Sequence, residues 1–157
     1  MNNLTFGDGT FGYYETIAGG AGAGPGWHGK SGIHTHMTNT RITDPEVLEL
    51  RYPVVLRQFN IRQHSGGKGA YKGGDGVLRE IEFLKDDIQI GILSERRVLA
   101  PYGMAGGQPG ERGKNLIIYP DGRVQNFGAK NSIKVPKHSR ILIKTPGGGG
   151  YGIYQEM

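Results

Sequence analysis

The chain has 157 residues, 29 of them glycine, 8 proline and none cysteine, which suits one domain with its own core and removes disulfides, thiol nucleophiles and thiolate metal sites together. No run of 18 apolar residues offers a membrane span, and the opening MNNLTFGDGT lacks the basic and apolar regions of a secretory signal, so the cytosol is the simplest compartment. The net charge of +5 comes from 19 scattered basic residues, without the basic stripe interleaved with aromatics that a nucleic-acid partner calls for.

In chain order, residues 1–18 read as a strand, a turn at Gly7-Asp8-Gly9 and a second extended run from Phe11 to Ile17. A glycine-rich loop and a polar cluster fill roughly 19–43. Thr43 or Asp44 then caps a short helix over about 44–51, with Pro45 in its first turn and Glu46 completing a Thr-x-x-Glu capping box. Tyr52-Pro53 ends it. Val54 to Gln63 is extended, with Val55, Phe59 and Ile61 on one face. After the second glycine cluster, HSGGKGAYKGGDG, Val77, Ile81 and Phe83 alternate with charges. Lys85-Asp86-Asp87 turns the chain and Ile88, Ile90 and Ile92 answer with the same period, which predicts a hairpin. A third glycine cluster follows Pro101. Pro120-Asp121-Gly122 is a turn between extended runs at 115–119 and 123–126, and Ser139–Lys144 is the last strand before the final PGGGG loop. The expectation is a mainly β (β-rich α+β) fold of many short strands in a sandwich- or barrel-like arrangement, with one short helix. The glycine clusters share no fixed period, so this is not a repeat protein.

The glycine clusters match neither a Walker A loop nor a dinucleotide fingerprint, because none opens a helix at the required spacing. They are either tight turns that permit close packing or anion cradles. His34-Thr35-His36 offers two imidazoles on an extended segment, suited to metal ligation, loop hydrogen bonding or substrate contact, with no third ligand close in sequence. Thr38-Asn39-Thr40-Arg41 presents a hydroxyl, an amide and a guanidinium fork. That set fits a ligand bearing an amide and a carboxylate, and equally a turn entering the capped helix. Ser94-Glu95-Arg96-Arg97 reads as a structural ion pair at a strand end.

The stretch YETIAGGAGAGPGWHGKSGIHTHMTNTRITDPEVLE, together with SGGKGAYKGGDGVLRE, LSERR and KTPGGGGYG, resembles the hydantoinase B / 5-oxoprolinase family, and its 5-oxoprolinase branch in particular. The resemblance covers essentially the whole chain, and MNNLTFGDGTFGYYE is similar to an internal stretch of the family. It implies one domain over 1–157, the C-terminal fragment of the hydantoinase B-like half of a larger enzyme. It further implies a hydrolase of cyclic amides that opens 5-oxo-L-proline to L-glutamate with ATP, inactive as this piece alone. ATP and a divalent metal would sit in the missing part, with no cofactor or metal in this chain. The partners implied are the ATP-binding half, the small-molecule substrate and further copies of the chain, with neither nucleic acid nor membrane. His34, His36, Thr38, Asn39, Thr40 and Arg41 are the substrate-binding candidates, and no catalytic residue is assigned. The competing expectation is a non-catalytic structural or assembly module, or a hydantoinase-type hydrolase of another cyclic amide.

Overall fold

The computed structural model describes residues 1–35 and 38–153. Among the described residues, nine strands form two open antiparallel sheets. The first has the order β2 (Gly12–Thr16), β1 (Asn2–Gly7), β5 (Ile88–Ser94), β8 (Lys130–Val135). The second runs β3 (Val54–Arg62), β4 (Gly76–Phe83), β9 (Arg140–Lys144), β6 (Lys114–Ile118), β7 (Val124–Asn126). One helix, α1 (Pro45–Arg51), packs on β3. The sheets face each other as a sandwich, not a closed barrel.

Alternation of side chains builds the core between them. Leu4 and Phe6 from β1 and Ile88, Ile90 and Ile92 from β5 join Val77, Ile81 and Phe83 from β4 and Ile141 and Ile143 from β9 in one buried cluster. Phe6 and Phe83 meet edge to face across the two sheets, 5.4 Å between centroids. A charged contact crosses the same gap. Arg79 of β4 donates from Nε and Nη2 to the two carboxylate oxygens of Glu15 on β2, at 2.6 and 2.8 Å, with both side chains buried. The Tyr13 hydroxyl also donates to Glu15, at 2.9 Å.

Three sequence expectations change here. The runs at 77–83 and 88–92 are both strands but not a hairpin: β4 pairs with β3 and β9, and β5 with β1 and β8. A period of two tells which face of a strand is buried, not which strand lies beside it. These two faces oppose each other across the core instead. On β3 a bulge between Leu56 and Gln58 breaks the register, leaving Phe59 and Ile61 each 43% exposed and Val54 as the buried anchor. The helix is capped by Asp44, whose Oδ1 accepts from Glu46 and Val47 N–H. Thr43 is instead occupied by the Tyr13 hydroxyl, so no capping box forms.

The glycine clusters converge on one another. Segment 146–150 is the centre: its backbone exchanges hydrogen bonds with Gly20, Ala23, Gly67, Gly74, Met104, Gln108 and Glu111. A Cβ on Gly147, Gly148, Gly149 or Gly150 would overlap the carbonyl of Ser65, Ala21, Tyr102 or Lys68 respectively. None of the four has a positive φ. Glycine is required there by crowding, as at the axis of a collagen triple helix, rather than by an unusual backbone angle. Cross-bonded extended segments therefore form a compact bundle that buries backbone with its donors and acceptors paired.

Candidate functional site

The bundle and the ends of β1 and β2 enclose a pocket of about 360 Å³, lined by Asn2, Thr16, His34, Thr35, Thr38, Arg96 and the backbone of 146–150. Its wall is fixed on the sheet side by a chain of amides and hydroxyls. Asn2 donates to the Ile17 carbonyl at 3.0 Å and accepts from Arg97 Nη1 at 2.7 Å. The Thr16 hydroxyl bonds Asn3 Oδ1 and the Tyr14 hydroxyl. On the loop side Gly20 N–H to the Pro146 carbonyl and Ile33 N–H to the Gly19 carbonyl hold the glycine loop in place, which brings His34 to the pocket. His34 Nδ1 lies 3.2 Å from Thr38 Oγ1, so the hydroxyl orients the imidazole.

Arg96 is the charged side chain among the described residues lining the pocket. Its backbone is left-handed, φ 58°, which turns consecutive arginines in different directions. Arg96 lies against the Tyr102 ring, 5.7 Å from the centroid. Arg97 is tied to Asn115 Oδ1, Asn2 Oδ1 and the Glu95 carbonyl, and burial pulls its guanidinium down to about 10. The ion pair expected within Ser94–Arg97 does not form: both arginines leave the Glu95 carboxylate, and Arg97 takes the carbonyl instead.

Of the substrate-binding candidates, His34 and Thr38 line this pocket. Asn39, Thr40 and Arg41 are exposed on the stretch leaving it. His36 lies outside the described residues. Sequence reasoning missed Arg96 and Thr16. No sequence signal separates Arg96 from the adjacent Arg97; the left-handed backbone at Arg96 does so only in the fold. Among the described residues no three of His, Asp and Glu come together as a metal set, and no helix is long and apolar enough to cross a membrane.

A family model described as hydantoinase B/oxoprolinase matches residues 1–154. The chain belongs to the hydantoinase B/oxoprolinase family. Members named 5-oxoprolinase from Dictyostelium discoideum and 5-oxoprolinase 1 from Arabidopsis thaliana are 58% and 59% identical over 100% and 97% of this chain. The chain spans only 12% of the length of each. Among solved structures, a chain of nucleotide-free acetone carboxylase superposes with TM-score 0.80 at 18% identity, covering 97% of this chain and 25% of that one. The ATP-dependent caprolactamase from Pseudomonas jessenii gives 0.70 at 23%, covering 96% and 28%. Those two share the fold of this chain.

Proposed function

We propose that this chain is part of a larger ATP-dependent hydrolase of the 5-oxoprolinase type, which opens 5-oxo-L-proline to L-glutamate, and that it contributes a wall of the substrate site. The identity to proteins named 5-oxoprolinase, 58% across the whole chain, carries this reading. The pocket's chemistry supports it. A lactam with a carboxylate needs one fixed cation and a few hydrogen-bonding groups in a small cavity. Arg96 supplies the fork for the carboxylate, and His34 and Thr38 supply an imidazole and a hydroxyl for the ring amide. Asn39, Thr40 and Arg41 belong to the same proposal as contacts made from the exposed stretch.

An unstrained lactam is a poor electrophile, and phosphorylation of its carbonyl by ATP would supply a leaving group. ATP and a divalent metal belong to the same proposal, as groups held by the rest of the enzyme. The test is ATP-dependent glutamate release by the intact enzyme carrying Arg96→Lys. Loss of the bidentate fork should lower kcat/KM roughly 10- to 100-fold, the equivalent of about 1.4–3 kcal/mol. Unchanged kinetics would overturn the assignment of Arg96.

A second reading has its own observation. Val98, Leu99, Tyr102, Met104 and Ile153 are exposed apolar side chains, between 55% and 76% accessible. Such a concentration suits contact with further polypeptide, as an assembly module requires. A hydrolase acting on another cyclic amide would use the same pocket, and exchange of 5-oxoproline for other lactams in the assay separates the two.

A further inference from the structure

A second cleft, of about 490 Å³, opens at the other side of the Arg96–Arg97 turn and shares no lining residue with the first. Arg62, Arg97, Arg112, Lys114 and Lys144 line it against one carboxylate, Glu111. Four of the chain's net positive charges thus face one concavity. The balance is not relieved locally. Glu111 is two-thirds exposed and only reaches Arg62 Nη2 at 3.9 Å, a separation at which a surface ion pair adds little. Arg62 spends Nη1 on the carbonyls of Arg112 and Thr145, and burial lowers its pKa.

The two lysines are the informative pair. Lys114 opens β6 and Lys144 ends β9, and they sit directly opposite each other in the antiparallel ladder. Directly opposed residues project to the same face with Cβ atoms about 5 Å apart, and like charges there destabilise the sheet. Neither lysine has an ion-pair or hydrogen-bond partner among the described residues. This arrangement costs stability and gains nothing within the chain. An anion lying over the strand ends would reverse its sign. The cations also span the sheet, with Lys114 on β6, Lys144 on β9 and, beyond β4, Arg62 at the end of β3. Three strand spacings are roughly 14 Å. A single carboxylate or phosphate reaches one or two of these groups, whereas a short chain of phosphoryl groups reaches the lysine pair and Arg62 together. The volume is of small-ligand size, and a cleft lined by one sign of charge concentrates anions.

We propose that this cleft binds a small phosphoryl oligoanion, of the di- or triphosphate class, between Lys114, Lys144 and Arg62. The proposal does not depend on the substrate pocket.

The test is calorimetric titration of sodium tripolyphosphate into the 157-residue chain at low salt and at physiological salt, with thermal melts of each variant recorded alongside. Saturable 1:1 binding is expected, weakening with salt. Lys114→Met and Lys144→Met should each weaken it roughly 10-fold, the worth of a hydrogen bond to a charged group. Neither should lower the melting temperature, since each removes a like-charge neighbour. Lys137→Met, outside the cleft, should leave affinity within about twofold, because an exposed charge beyond the contact is screened. No saturable binding, or an equal loss in the Lys137 control, would overturn the proposal. So would citrate binding as tightly as tripolyphosphate, which would make the cleft a general anion patch. Binding by this chain that is absent from the intact enzyme would assign the cleft to acidic residues of the remaining polypeptide, and would overturn it too.

Discussion

Removing one member of the Glu15–Arg79 pair should be among the most damaging single changes in the sandwich. Arg79 is 1% exposed and Glu15 6%. The guanidinium is bidentate on the carboxylate, lies 4.9 Å from the Phe59 centroid, and leaves Nη1 without a protein partner. Arg79→Met strands a buried carboxylate that keeps only the Tyr13 hydroxyl. Burial pushes that phenol up to about 12, so it stays a donor at neutral pH but cannot neutralise the charge. Glu15→Leu strands the guanidinium. Breaking a buried pair from one side costs about 3–5 kcal/mol. For a chain of this size each kcal/mol moves the midpoint by about 2–4 °C, so either variant should melt roughly 6–20 °C lower. Replacing both residues removes both desolvated charges and should restore most of the loss. A double-mutant cycle by urea unfolding would measure a coupling of at least about 2 kcal/mol. Single-variant losses below about 1 kcal/mol, the value of a surface pair, would refute the claim that the pair is desolvated and bridges the sheets.

Gly148→Ala should cost roughly 3 kcal/mol or more, because the added methyl meets the Ala21 carbonyl; Gly9→Ala, where a Cβ meets nothing within 4 Å, should be near neutral, and equal melts would contradict the crowding argument. Glu82 takes a hydrogen bond from His138 at 2.8 Å and a salt bridge from Arg57 at 2.6 Å, and the His138 contact leads in holding its carboxyl below the usual range. A depressed folded pKa means this contribution is complete above the ordinary carboxylate range and is lost as pH falls through the folded value. Glu82→Gln should therefore flatten the acid side of the stability profile, and an unchanged acid slope would count against the network. The 157 residues alone should release no glutamate from 5-oxoproline with ATP; measurable turnover by the purified chain would contradict the division of labour proposed above.

Much of the fold could be read from alternation and turn chemistry. The buried sets Val77/Ile81/Phe83 and Ile88/Ile90/Ile92 follow from a period of two, and the β6–β7 hairpin follows from Pro120-Asp121-Gly122, where Gly122 has φ 84°. Apart from that hairpin, strand partners could not be read, because facing across a core and lying side by side leave the same pattern. β8, KNSIKV, went unrecognised because its exposed side carries no apolar partner rhythm and only Ile133 and Val135 point inward. The need for glycine was legible; which segments meet was not, since Gly148 bonds to Gly74 and Gly67 across 74 and 81 positions of sequence. His34 and Thr38 stand out in the sequence because a polar cluster after a glycine loop is unusual, and both line the pocket. Arg96 was hidden by its neighbour: nothing in the sequence says that a left-handed residue sends Arg96 and Arg97 into different clefts.

The structure of the intact enzyme with 5-oxoproline bound tests whether this pocket holds the substrate. The substrate carboxylate is expected within hydrogen-bond distance of the Arg96 guanidinium, with the ring against His34 and Thr38. A substrate bound elsewhere, with polypeptide filling this pocket, would contradict it.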